Sequence, residues 1–195
     1  MNSAAADRAT FIRRPDLGRR LDAPSIALLS AARSSERADV LFVIADGLSS
    51  IAVQDHAVPV LHRCLDRLHG WRIAPIVLAT QARVALGDEI CMHLDADLCV
   101  ILIGERPGLS VANSLGIYLT WRPRLGHRDA DRNCISNIHS KGLGYDKAAE
   151  TLVWLLTHAR QDQVSGISLK ENASASIAAV YPSGRPGLIN PRIEN

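Results

Sequence analysis

The sequence has few of the features that build disulfide frameworks, metal sites or membrane spans. Its 195 residues include four cysteines and 4% aromatic residues, and the cysteines lack the paired spacings of zinc sites or small disulfide-linked domains. The formal net charge is only +2, so nothing global indicates a nucleic-acid partner. No apolar run is long enough to span a membrane, and the N-terminus has no apolar signal core. We therefore expect a cytoplasmic protein with reduced thiols and with neither a nucleic-acid nor a membrane partner.

Apolar runs and amphipathic segments alternate along the chain. Four apolar runs are predicted to be strands, at residues 40–45, 74–79, 99–103 and 115–121. Periodicity predicts four helices, at residues 24–32, 51–68, 88–94 and 147–160. Pro59 interrupts the second of these, so that helix either kinks or is followed by a new helix near Val58. This alternation indicates an α/β fold with a mostly parallel sheet and helices on both faces.

Composition divides the chain into three parts. Residues 1–36 are predicted to form an N-terminal arm and a helix, and the first dozen, small and polar, are expected to be loose. Residues 37–170 hold the four predicted strands and form a single predicted domain. Residues 171–195 are small, polar and rich in proline, which predicts a flexible tail. Within the domain, residues 121–146 lack clear periodicity, and we expect an ordered functional loop there.

One predicted strand leads directly into a charged, stiff turn. Residues 104–108, GERPG, follow the apolar run and carry both an acid and a base. In an open parallel sheet, ligands bind just beyond the carboxyl ends of the strands, so this turn is a candidate site. The alternative is an ordinary solvent-exposed turn, because Pro and Gly occur in turns of every kind.

No motif supplies a self-contained active site. The sequence has no GxGxxG, GxxxxGK[ST] or GxSxG motif, although residues 46–50, DGLSS, could offer amides and hydroxyls to a phosphate. The histidines lack the i, i+4 spacing of metal ligands and the polar cluster within 127–139 is loose, so we predict no metal site. Cys134, close to Arg132, is a weak candidate nucleophile. We therefore expect a chain that holds part of a ligand while another chain supplies the catalytic residues.

Six short motifs occur in the same order as in a known family. They are RRPDLGRRL at 13–21, ADGLS at 45–49, RV at 83–84, GERPGL at 104–109, DRNCISNIH at 131–139 and SGIS at 165–168. On these motifs, which extend over most of the chain, the sequence resembles the small (light) subunit of ethanolamine ammonia-lyase. The resemblance implies a Rossmann-like fold that binds adenosylcobalamin at the interface with a large, catalytic TIM-barrel subunit.

The resemblance also implies a reaction and an assembly. The large subunit holds ethanolamine, which is converted to acetaldehyde and ammonia. The cofactor carries the radical chemistry, while the protein supplies binding and orientation. The implied hetero-oligomer has six large and six small subunits, and its implied location is the cytoplasm or the bacterial microcompartment for ethanolamine utilisation.

By resemblance, the family's cobalamin contacts fall on Val84, Glu105 and Cys134, and no catalytic residue falls on this chain. The corrin ring carries amide side arms, so the Glu105 carboxylate can accept hydrogen bonds from their N–H groups. Val84 offers an apolar contact, and Cys134 can pack against the corrin or present its backbone. The structural alternatives are a core valine, a surface acid and a core thiol.

Two other functions compete with this interpretation. The chain could be a stand-alone Rossmann-like module that binds a phosphate-bearing ligand through residues 46–50. It could also be a structural subunit that assembles without contacting the corrin.

Overall fold

One mixed sheet lies at the centre of the α/β domain. The computed structural model describes residues 1–105 and 113–169. The sheet has the strand order β2-β1-β3-β4-β5, with β1 at Ala38–Ala45, β2 at Val77–Ala79, β3 at Ala96–Glu105, β4 at Ser114–Trp121 and β5 at Asn133–Ile138. The helices in the described residues are α1 (Arg8–Arg13), α2 (Ala23–Ala32), α3 (Ser50–Leu65), α4 (Leu86–Leu94) and α5 (Tyr145–Asp162), with short 3-10 helices at Leu17–Arg19 and Asp129–Asp131.

The sheet is less parallel than predicted. Strands β2, β1 and β3 are parallel, whereas β4 is antiparallel to β3 and β5 is antiparallel to β4. The Rossmann-like, parallel character is therefore restricted to the first three strands. The reason lies in the connections, because only residues 106–113 separate β3 from β4. A parallel pair needs a crossover of a dozen residues or more, while an antiparallel pair does not.

Helices lie on both faces of the sheet, as predicted. On one face, α3 and α5 pack against β1, β3, β4 and β5, in a core that includes Phe42, Leu102 and Leu152. On the other face, α2 and α4 pack against β2, β1 and β3, in a core that includes Val43 and Ile101. Helix α3 is continuous through Pro59, so the alternative of a second helix beginning near Val58 is wrong.

The first residues of the chain are fixed in place rather than loose. The amino group of Met1 donates to the Leu78 carbonyl oxygen at 2.6 Å, and the Ser3 amide donates to the Thr80 carbonyl at 3.2 Å. Phe11, on α1, is fully buried. The edge of β2 offers unpaired backbone groups, and this arm pairs with them.

Two predicted features lie outside the described residues. They are the tail at 171–195 and all but Gly104 and Glu105 of the GERPG turn. Among residues 1–105 and 113–169, no helix is both long and apolar enough to cross a membrane.

Candidate functional site

Half of the sheet has one face that none of the described helices covers. Strand β4 buries Leu115, Ile117 and Leu119 in the core beneath α5. Side chains alternate along a strand, so the residues between them point to the opposite face. On that face α2 and α4 cover β2, β1 and β3, and Tyr118 is the one β4 residue that joins their core. We call this face the β4–β5 floor; it is formed by Ser114, Gly116, Tyr118, Thr120 and Cys134.

Glu105, the last residue of β3, extends over this floor. The Tyr118 hydroxyl donates to Glu105 Oε1 at 2.5 Å, while Oε2 has no hydrogen-bond partner among the described residues. A β-carbon at Gly116 would lie 2.7 Å from Glu105 Cδ, so a side chain there would displace the Glu105 carboxylate. The missing side chain at Gly116 and the Tyr118 hydroxyl together fix the position of the carboxylate.

Cys134 lies beside Tyr118 and presents a neutral thiol. The two residues are register partners on adjacent strands, and Cys134 is exposed. Desolvation raises the pKa of the Cys134 thiol; the Tyr118 hydroxyl opposes this shift, and the negative charge of Glu105 adds to it. Burial, and next the hydrogen bond to Glu105, raise the pKa of Tyr118, so its hydroxyl stays a donor. A thiol with a raised pKa is a poor nucleophile, which argues against the catalytic-thiol interpretation of Cys134.

A buried ion pair connects α4 to the residue directly before β5. Arg132 donates to both carboxylate oxygens of Asp88 at 2.6 Å, and to Thr120 Oγ1 at 2.9 Å. Both charged side chains are only 3% exposed. Burial alone would lower the pKa of Arg132, but the hydrogen bonds and charge of Asp88 outweigh burial and raise it. Arg132 is therefore committed to Asp88, and this pair sets the position of the strand that carries Cys134.

Val84 lies on the wall of a cleft next to the floor. The cleft has a volume of about 700 Å³. We call it the arginine cleft; its lining includes Arg19, Arg83, Val84, His127, Arg128 and Arg132. Val84 is partly buried against the core beneath α2 and α4. The structure thus joins Glu105 and Cys134 through Tyr118 and places Val84 in the neighbouring cleft. Arg132 connects the two regions, because it lines the cleft and donates a hydrogen bond to Thr120 of the floor.

The turn at residues 46–50 is occupied by contacts within the protein. The Leu48 amide donates to the Gly104 carbonyl at 2.8 Å, and the Ser49 amide donates to the Asp46 carbonyl at 3.2 Å. The Asp46 carboxylate accepts from the amides of Gln81 and Ala82 at 2.9 and 3.1 Å. These contacts pack the turn against β3 and the loop before α4, and two of its amides are not available to a phosphate.

Sequence reasoning missed Tyr118 and the pair of Asp88 and Arg132. A signal for Tyr118 was present, because β4 has Ser114, Gly116, Tyr118 and Thr120 at alternate positions between large apolar residues. That alternation is typical of a strand with one apolar face and one face of smaller or more polar side chains. The partnership of Asp88 with Arg132, 44 positions apart, has no local signature. Among the residues that the structure describes, no group of three or more His, Cys, Asp or Glu side chains could hold a metal ion.

Comparisons with known proteins agree on one family. Residues 1–170 match the family described as "Ethanolamine ammonia-lyase light chain (EutC)". The chain is 50% identical over 177 residues to a protein of Pseudomonas aeruginosa named "Ethanolamine ammonia-lyase small subunit", which covers 89% of this chain and 65% of the relative. Proteins of the same name from Ralstonia nicotianae and Azotobacter vinelandii are 50% and 49% identical, over 91% and 90% of this chain and 67% of each relative. The chain thus spans about two thirds of the length of these relatives.

Proposed function

Because the chain belongs to the ethanolamine ammonia-lyase light chain family, we propose that it is the cobalamin-binding small subunit of that lyase. It binds adenosylcobalamin at its interface with a large catalytic subunit, and the complex converts ethanolamine to acetaldehyde and ammonia. The family match and the shared name of the relatives support the identity of the subunit. The geometry of the β4–β5 floor supports the contact with the corrin ring.

One observation carries the cofactor assignment. Glu105, held by Tyr118 beside the neutral Cys134, lies on the sheet face that none of the described helices covers. A corrin ring is broad, nearly flat and fringed with amide groups, so it needs an open surface with hydrogen-bond acceptors near its rim. Cys134, which is exposed, and Glu105 and Tyr118, which are partly exposed, form such a surface, whereas Ser114, Gly116 and Thr120 are buried. Oε2 of Glu105, which has no hydrogen-bond partner among the described residues, is the acceptor. The residues present therefore fit the group.

The residues of this chain bind and orient. Glu105 accepts hydrogen bonds from corrin amides, and the Tyr118 hydroxyl keeps the carboxylate from rotating away. Cys134 is a neutral thiol, so it contacts the ring without acting as a thiolate ligand to the metal of the cofactor. Val84 packs against the apolar periphery of the corrin ring. When bound, adenosylcobalamin supplies the radical chemistry of the lyase. No residue of this chain is assigned an acid, base or nucleophile role, so those roles belong to the large subunit.

The proposal includes an assembly and a location. The large subunit is a TIM barrel, the hetero-oligomer contains six large and six small subunits, and the complex lies in the cytoplasm or in the microcompartment for ethanolamine utilisation. Support for these points comes from the family resemblance alone. The competing module that binds phosphate at residues 46–50 is disfavoured, because that turn bonds to Gly104, Gln81 and Ala82.

Co-expression tests the proposal. The full chain, tagged, is produced with and without an ethanolamine ammonia-lyase large subunit, purified by its tag and assayed for deamination of ethanolamine. We expect the large subunit to co-purify and the complex to release acetaldehyde only when adenosylcobalamin is present. If the large subunit is equally active without this chain, or does not associate with it, the proposal is wrong.

A further inference from the structure

The arginine cleft contains more positive charge than its own acids neutralise. Five arginines and three aspartates line it. Arg20 pairs with Glu89 and Arg132 pairs with Asp88, and Asp16 is already bound by Arg14. Three lining cations, Arg19, Arg83 and Arg128, form no ion pair with any described residue. Asp129 is the one lining acid that lacks an ion pair among the described residues.

Two buried nitrogen atoms of lining residues also lack hydrogen-bond partners among the residues that the structure describes. They are Arg83 Nε and His127 Nδ1. Arg83 is held in place by Phe11, since its guanidinium lies 4.4 Å from the ring centre and donates to the Phe11 carbonyl at 3.3 Å. Burial, together with the charges of Arg19 and Arg8, lowers the pKa of Arg83. A fixed, partly buried cation beside other cations is stabilised when an anion binds among them.

The cleft also adjoins the surface assigned to the corrin ring. Val84 lines the cleft, and Arg132 reaches from the cleft to Thr120 on the floor. Arginine recognises phosphate oxygens with paired, parallel hydrogen bonds. Cobalamin carries one such anion, the phosphodiester in the nucleotide tail that connects its corrin ring to dimethylbenzimidazole.

We propose that the arginine cleft binds the phosphodiester of the nucleotide tail while the corrin ring lies on the β4–β5 floor, an inference that rests on the proposed function. Arg19, Arg83 and Arg128 surround the phosphate, and His127 Nδ1 serves as an additional polar contact. The cleft therefore selects corrinoids that carry a nucleotide tail over corrinoids that lack one.

The test compares two ligands on the complex with the large subunit. Adenosylcobalamin and adenosylcobinamide share the ring and the adenosyl group, but only the first has the nucleotide tail. Their dissociation constants are measured by equilibrium ultrafiltration for the wild type, for the double variant Arg19→Gln/Arg128→Gln, and for Arg33→Gln as the control. Arg19 and Arg128 are exposed, so their loss spares the packing of Arg83. Arg33 is an exposed arginine paired with Asp95 outside the cleft.

We expect the double variant to bind adenosylcobalamin at least about tenfold more weakly and adenosylcobinamide within about twofold of wild type, because only the tail loses charge-assisted hydrogen bonds. The control should bind both ligands as wild type does. Equal weakening for both ligands, or none for either, overturns the assignment of the cleft. A separate anion is tested by repeating the adenosylcobalamin titration with millimolar inorganic phosphate. We expect phosphate to leave this binding unchanged or to weaken it by competition; if phosphate strengthens adenosylcobalamin binding through the same arginines, the cleft serves a free anion and the tail assignment is wrong. Failure to bind either corrinoid instead contradicts the proposed function itself.

Discussion

The ion pair of Asp88 and Arg132 makes the sharpest prediction about stability. Replacing Arg132 with Met keeps the length of the side chain but leaves the Asp88 carboxylate, 3% exposed, without a counter-charge. The variant also loses the donors to Thr120 Oγ1 and to the His127 carbonyl, at 2.9 and 3.2 Å. Breaking a buried pair from one side costs about 3–5 kcal/mol.

The expected cost can be measured on the full chain. Urea unfolding is followed by the fluorescence of its three tryptophans, and thermal unfolding by circular dichroism. For a chain of this size, each kcal/mol lowers Tm by about 2–4 °C, so Arg132→Met should lower it by about 6–20 °C. The double variant Asp88→Leu/Arg132→Met removes both charges and should recover most of the loss, because replacing a buried pair with apolar side chains is often close to neutral.

A surface pair provides the matched control. Arg33 and Asp95 also form an ion pair, but their side chains are 54% and 37% exposed. Arg33→Met should change stability by no more than about 1 kcal/mol. The reasoning is refuted if Arg132→Met costs no more than this control. It is also refuted if the double variant loses as much stability as Asp88→Leu and Arg132→Met, each measured alone, lose in sum.

Three further predictions concern backbone packing, pH and the cofactor. Gly104→Ala places a β-carbon against the backbone carbonyl of the α3 N-cap residue and should destabilise the chain in urea unfolding by about 1–3 kcal/mol, whereas Gly144→Ala, with no atom within 4 Å, should not. Burial raises the pKa of the Cys64 thiol from 9.0 to about 12. The contribution of this neutral thiol to the free energy of unfolding is therefore fully present below pH 9 and is lost as pH rises toward about 12, at about 1.4 kcal/mol per pH unit. Cys64→Ala should make the alkaline loss of stability less steep, and an unchanged slope contradicts this. Tyr118→Phe leaves the Glu105 carboxylate unrestrained and should weaken adenosylcobalamin binding to the complex by about three- to tenfold in ultrafiltration, and unchanged affinity argues against its positioning role.

The strands that are buried on both faces were predictable from the sequence, because a short, unbroken apolar run is compatible with few structures other than a buried strand. Residues 40–45 and 99–103 are such runs, and they form the centres of β1 and β3. Strand β5 was not predicted, because its two large aliphatic residues, Ile135 and Ile138, lie three positions apart, which breaks the period of two that marks a half-buried strand. Asn137 also adopts φ of +63° there, near an irregularity in the pairing of β4 with β5, and this disrupts the alternation further.

The candidate site was predictable only in part. The family motifs led to Val84, Glu105 and Cys134, whose role in binding stays a prediction. The residues that position them were not predictable, because they act across the sheet and between distant segments. Tyr118 contacts Glu105 through strand pairing, and Asp88 meets Arg132 through tertiary packing. Long-range partnerships of this kind depend on strand order, and the predicted mostly parallel sheet would have placed β4 in the wrong direction.

The most direct test of the corrin site is the affinity of the complex for adenosylcobalamin after Glu105→Ala, with Glu150→Ala as the matched control. Glu150 is an exposed acid on α5, paired with Lys147, and α5 covers the opposite face of the sheet. Loss of a charge-assisted hydrogen bond is worth about 1.5–3 kcal/mol, so the dissociation constant should rise by about 10- to 100-fold for Glu105→Ala and stay unchanged for Glu150→Ala. An unchanged dissociation constant for Glu105→Ala, in a complex that still assembles, would contradict the account and support a structural subunit without corrin contacts.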